Sequence, residues 1–168
     1  MSTLFSATID DLSRQVLAEA RARGIKVVTA ESCTGGLVGG ALTDIAGSSD
    51  VFERGYITYS NVAKMQVLGV PDDILKDHGA VSMQCASAMA HGALRAAAAG
   101  ASVAITGIAG PGGGSAAKPV GLVHFAAATP SHKVITLEKR FGDAGRTMVR
   151  LLSVETALGL LLSAIRQT

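Results

Sequence analysis

Ile25-Lys-Val-Val-Thr-Ala-Glu-Ser-Cys-Thr-Gly-Gly36-Leu-Val-Gly-Gly-Ala-Leu-Thr-Asp-Ile45 holds a short β-branched run, a polar glycine turn and a second apolar run closing at Gly47. Residues 25–30, bounded by Gly24 and by the polar turn, read as a strand. Residues 37–45 read as a helix that Gly47 can end. Strand, glycine turn and helix form the repeating unit of α/β folds, whose ligands collect beyond the carboxyl ends of the strands.

Outward from this unit the same punctuation recurs. Upstream, Leu12, Val16, Leu17 and Ala20 fall at helical spacing within residues 10–23, with Gly24 as the stop. Downstream, residues 51–60 alternate around Tyr56-Ile-Thr-Tyr59, and Asn61 is placed to cap a short helix through Leu68 that ends at Gly69 and Pro71. Ser82 caps an alanine-rich helix running to Ala99, and residues 102–106 make another buried strand. A glycine loop over residues 107–114 leads into strands at 120–128 and 133–138, joined as a hairpin through Thr129-Pro-Ser131. A final helix spans about residues 143–165. This order predicts a three-layer α/β/α domain with a mixed sheet.

A chain of 168 residues and 17.0 kDa fits one domain over residues 1–168, and 48% hydrophobic against 17% charged residues supplies a sizeable core. The formal charge of +2 without a long basic run speaks against nucleic-acid binding. Cys33 and Cys85 are too few for a disulfide framework and lie far from any histidine pair at zinc spacing, so neither a metal nor a cofactor is expected. Residues 1–7 have no leader pattern, and no run of 18 apolar residues is free of glycine or charge. A soluble cytoplasmic protein, with no membrane partner, is the expectation.

Three polar or glycine-rich segments follow strands: residues 31–36, 59–64 and 106–114. Ser32, where strand turns to helix, has either of two roles open to it: a nucleophile beside free backbone amides, or a helix N-cap. Cys33 ranks below it and is assigned to packing. None of His78, His91, His124 and His132 stands in such a turn, which disfavours a histidine base. Lys64, in the first turn of the helix after Asn61, is the candidate base, because a helix N-terminus disfavours its ammonium form. Tyr59 is placed to relay a proton or orient that lysine.

Ser115-Ala-Ala-Lys118 matches Ser-x-x-Lys, but Pro119 and the preceding glycines deny it a helical turn. Residues 112–117 match a loose dinucleotide pattern, yet a strand follows where a helix is required. What survives is a loop whose amides can wrap an anion, with Lys118 or Arg146 nearby.

Thr29-Ala-Glu-Ser-Cys-Thr-Gly-Gly36, Ala46-Gly-Ser-Ser49 through Gly55, Thr58-Tyr-Ser-Asn61 with Lys64, Thr106-Gly-Ile-Ala-Gly-Pro111 and Lys118-Pro-Val-Gly121 resemble, in this order, the CinA C-terminal domain family. That family includes nicotinamide-nucleotide amidases. The resemblance implies metal-free hydrolysis of the carboxamide of nicotinamide mononucleotide to nicotinate mononucleotide and ammonia, in pyridine nucleotide recycling. It carries the nucleophile onto Ser32, the lysine onto Lys64, the tyrosine onto Tyr59, and ligand contacts onto Thr106, Gly107 and Gly110. With Thr34, Gly35, Gly36 and Arg146 these complete the expected substrate site. Phe141-Gly-Asp-Ala-Gly-Arg146 departs from the commoner Gly-Asp-Arg spacing while Arg146-Thr-Met-Val-Arg150 keeps the continuation, so Arg146, Arg150 and Lys118 all stay open as the phosphate contact. Longer members carry an N-terminal domain whose activities are not expected here. The expected partner is a small pyridine nucleotide, with self-association into a homo-oligomer open. A rival class is a catalytically silent nucleotide-binding regulatory module of the same fold.

Overall fold

The computed structural model describes residues 4–131 and 133–168; Met1, Ser2, Thr3 and His132 lie outside the described residues, as does the part of the leader and histidine reading that falls on them. The order is α1 (Ala7–Ala22), β1 (Val27–Glu31), α2 (Leu37–Thr43), a 3-10 turn at Ser48–Asp50, β2 (Phe52–Ile57), α3 (Asn61–Leu68), α4 (Asp72–His78), α5 (Met83–Ala97), β3 (Ala101–Gly107), β4 (Leu122–Ala128), β5 (Val134–Arg140) and α6 (Arg146–Arg166). The sheet order is β2-β1-β3-β4-β5, with β1 parallel to both neighbours and β4 antiparallel to β3 and β5. This is the expected mixed α/β sheet with its terminal hairpin.

Strand alternation sends successive side chains into two separate cores. Val27, Val103, Ile105, Val123, Phe125 and Ala127 pack with buried residues of α1, α2 and α6. Val28, Ala104, Ala126 and Ala128 face the other way, onto Ala86, Met89, Ala90 and Ala93 of α5. Alanine meeting alanine there leaves room only for close backbone approach, and the Ser102 hydroxyl donates to the Ala90 carbonyl at 2.8 Å. Gly92 extends this economy to α3: a Cβ at that position would lie 2.0 Å from the Leu68 carbonyl oxygen. By length and composition α6 is apolar enough to cross a bilayer, with mean hydropathy 1.7. Its Val154, Leu158, Leu161 and Ile165 are instead buried in the first core, each side chain contributing roughly 1.5–3 kcal/mol by leaving water.

Several boundaries differ from those expected. Ser60, not Asn61, is the N-cap of α3, its hydroxyl accepting from the Ala63 amide; two adjacent residues of good capping chemistry competed, and the extended backbone falls at Ser60. The final helix starts at Arg146 instead of 143, because Gly142 and Gly145 take positive φ and hold the chain outside helical space. α4 was not expected; it buries little beyond Leu75, too little periodicity to announce a helix.

β1 lies at the switch point of the sheet, since the connection through α2 leads to one neighbour and the connection through α3, α4 and α5 leads back across to the other. A crevice opens beyond its carboxyl end.

Candidate active site

Ser32 stands one residue past β1 and is held to both flanks. Its amide donates to the Ile105 carbonyl at 3.0 Å, and the Thr58 amide donates to the Glu31 carbonyl at 2.9 Å. These bonds continue the ladders of β3 and β2 around the start of the turn. Ser32 does not cap α2. The Glu31 carboxylate does so from a buried position, accepting from the amides of Gly36 at 3.0 Å, Val38 at 3.1 Å and Gly39 at 2.9 Å. That leaves the Ser32 hydroxyl for another partner.

The partner is Lys64. Its Nζ lies 3.1 Å from Ser32 Oγ, 2.8 Å from the Thr58 carbonyl oxygen and 3.3 Å from the Tyr59 carbonyl oxygen. Lys64 is only 1% exposed, an unusual place for a lysine, and burial lowers its pKa below the ordinary value. A neutral amine has two N–H groups and one lone pair. Two carbonyls can take the N–H groups, which leaves the lone pair for the Ser32 hydroxyl. Among the described residues no carboxylate pairs with Lys64, and burial is the largest influence on its pKa.

Cys33 lies beside the serine with its thiol buried and pushed up to about 11, so it stays protonated at neutral pH. Tyr59 presents its backbone, not its phenol, to the lysine. The phenol oxygen instead accepts from Arg146 at 3.2 Å on an exposed rim, and Arg146 also donates to the Gly110 carbonyl at 2.8 Å. Ser32, Cys33, Tyr59, Lys64, Ala80, Val81, Thr106, Gly107, Ala109 and Arg146 line one cleft of about 200 Å³. The three glycine and polar segments therefore converge, joined by the start of α6.

Other candidate residues sit differently. The Thr106 hydroxyl donates to the Ala80 carbonyl at 2.8 Å, tying β3 to the segment before α5. Gly107 admits no Cβ, which would approach Val123 and the Leu122 carbonyl within 2.8 Å. Thr34 is fully buried, and the Gly35 and Gly36 amides are committed to the Ser32 carbonyl and to Glu31, so these three shape the turn from behind. Lys118 reaches the His78 carbonyl, outside the cleft. Arg150 donates through Nε to the Cys33 carbonyl at 3.1 Å and through its second terminal nitrogen to the Thr34 carbonyl at 3.2 Å. Of the three cations considered for phosphate, only Arg146 lines the cleft.

Glu31 and the clamp made by Arg150 are the features that sequence reasoning missed. A signal existed for Glu31: α2 has no acidic residue in its first turn and no capping side chain at Gly36, so its amides needed an acceptor from elsewhere.

The CinA C-terminal domain model matches residues 9–165. The chain is 52% identical to nicotinamide-nucleotide amidohydrolase PncC of Escherichia coli K12 over 148 residues, covering 86% of this chain and 90% of that protein. A CinA-like protein of Synechococcus sp. RCC307 is 53% identical over 161 residues; the match covers 94% of this chain but 38% of that relative's length. Among solved structures, the competence/damage inducible protein CihA from Agrobacterium tumefaciens superposes with a TM-score of 0.95 at 54% identity, covering 98% of this chain and 99% of that one. With the fold, the order of its motifs and these matches in agreement, the chain belongs to the CinA C-terminal domain family.

Proposed function

We propose that this chain is an amidohydrolase that converts the carboxamide of nicotinamide mononucleotide to the carboxylate of nicotinate mononucleotide and ammonia, in pyridine nucleotide recycling. The observation that carries this reading is the buried amine of Lys64, 3.1 Å from the Ser32 hydroxyl. A silent binding module has no use for so costly an arrangement. The PncC relative's name supports the substrate class.

In this mechanism neutral Lys64 takes the Ser32 proton as Oγ attacks the carboxamide carbon, and the carbonyl oxygen becomes an oxyanion. Collapse of this intermediate breaks the C–N bond; Lys64 returns the proton to nitrogen and ammonia leaves. Water then attacks the Ser32 ester as Lys64 takes its proton; the bond between the acyl carbon and Oγ breaks, Lys64 returns that proton to Oγ, and the acid is released with Ser32 and neutral Lys64 restored. A well-placed base of this kind contributes roughly 10²–10⁴-fold. Arg146 and the loop from Gly107 to Gly110 bind the phosphate end, where a guanidinium matches phosphate oxygens. Tyr59 orients Arg146, and through its carbonyl it orients Lys64. Residues 1–168 act as one domain in the cytoplasm; α6, apolar enough to cross a bilayer, is packed into the core instead.

Ammonia release from nicotinamide mononucleotide, measured for wild type and Ser32→Ala, tests the reading. Wild type is expected to turn over and Ser32→Ala to bind the nucleotide with nearly all turnover lost. Near-normal turnover by a folded Ser32→Ala protein would remove Ser32 from the chemistry.

A further inference from the structure

The turn after Ser32 is gripped from two sides by opposite charges. On one side the Glu31 carboxylate accepts three amides at the start of α2. On the other, the Arg150 guanidinium of α6 spans the Cys33 and Thr34 carbonyls. The turn also closes on itself, the Gly35 amide donating to the Ser32 carbonyl at 3.0 Å. Gly35 takes positive φ and leaves no spare room, since a Cβ there would lie 3.3 Å from the nearer guanidinium nitrogen.

Among the described residues, the amides of Cys33 and Thr34 are the two in residues 32–39 with no acceptor on another residue, the Cys33 amide meeting only its own thiol. Their direction follows from the carbonyls, because a trans peptide points its N–H opposite to its C=O. The Ser32 carbonyl points into the turn at the Gly35 amide, and the Cys33 carbonyl points at Arg150 of α6. The Cys33 amide therefore points out of the turn, away from Gly35, beside the Ser32 hydroxyl that Lys64 reaches, and the Thr34 amide points away from α6. Cys33 lines the cleft while Thr34 is fully buried, so the Cys33 amide is the one offered to a ligand.

We propose that Arg150 is a positioning residue: opposed by Glu31, it fixes the turn so that the Cys33 amide, next to the nucleophilic hydroxyl, can donate to the oxyanion formed when Ser32 attacks. This rests on the amidohydrolase reading above and gives Arg150 a role distinct from binding phosphate. The donation is needed only as charge develops, so losing it lowers kcat with little effect on substrate affinity.

The test is steady-state ammonia release from nicotinamide mononucleotide by the full chain, comparing wild type, Arg150→Met and Arg150→Lys, with a thermal melt of each. Arg150→Met is expected to melt cooperatively and to lose kcat on the order of 10²-fold, the scale of one oxyanion donor, at nearly unchanged KM. Guanidinium chloride below denaturing concentrations is expected to restore part of its kcat, whereas ammonium chloride is not. Arg150→Lys keeps the charge but lacks the fork that spans two carbonyls, so its kcat is expected to fall as well. If Arg150→Met fails to fold, the kcat and KM of Arg150→Lys decide alone. Wild-type kcat in either folded variant, or a raised KM at unchanged kcat, overturns the proposal, the second result returning Arg150 to the phosphate. Wild type that releases no ammonia overturns the amidohydrolase reading itself, and the positioning role with it.

Discussion

Lys64 can accept a proton only while its amine is neutral, so the pH dependence of turnover reports its state. Burial lowers the Lys64 pKa from the ordinary 10.5, and kcat/KM should rise with pH and level off below the usual lysine range. An ascending limb centred at or above 10.5 would show that the buried amine is not the titrating base. The sign for stability follows from the same shift. The folded state binds fewer protons than the unfolded one between the lowered pKa and 10.5, so stability gains from this group as pH rises through that window and falls as the pH drops through it. Ser32 and Lys64 were legible as candidates because each belongs to a turn that follows a strand. The phenol of Tyr59 was not legible as a partner of Arg146, because that contact joins residues 87 apart in sequence. Nor does helix propensity reveal that Glu31 will cap a helix whose bonded amides lie five to eight residues away.

At the scale of elements, two helical glycines should behave in opposite ways. Gly92 lets α5 meet the end of α3, and a methyl group there would press on the Leu68 carbonyl at 2.0 Å. Backbone cannot swing aside as a flexible side chain can, so Gly92→Ala should cost about 1–3 kcal/mol. It should also lower kcat, because α3 carries Lys64 to Ser32. Gly159 in α6 has nothing within 4 Å of a built Cβ, and Gly159→Ala should stabilise by about 0.5–1 kcal/mol through helix propensity alone. Urea melts of both variants check the pair; a Gly92→Ala protein as stable and active as wild type would mean that α3 is free to shift without disturbing the site. The alanine-rich character of α5 and its Ser82 cap could be read from the sequence, since both are local. The seven-residue α4 could not, because its single well-buried residue, Leu75, meets a neighbour that only the tertiary fold supplies.

Over the whole molecule, the sheet brings together groups that no local pattern joins. β1 ends between β2 and β3, the connection after β2 returns Lys64 over Ser32, and α6 supplies Arg146 to the rim and Arg150 behind the turn. The α/β layering and the convergence at the carboxyl ends of the strands were legible, because strand and helix alternation constrains topology strongly. Which cation faces the cleft was not, because Lys118, Arg146 and Arg150 differ only in where folding aims them. This assembly sets one buried amine, its pKa lowered by burial, beside one hydroxyl. The most direct measurement is therefore kcat for ammonia release from nicotinamide mononucleotide by Lys64→Arg, alongside nucleotide binding by the same protein. Arginine keeps the positive charge but does not give up a proton in proteins. A Lys64 base predicts that the variant binds nucleotide and loses roughly 10²–10⁴-fold in kcat; turnover at the wild-type rate would contradict it, showing that Lys64 supplies only charge and that another group takes the Ser32 proton.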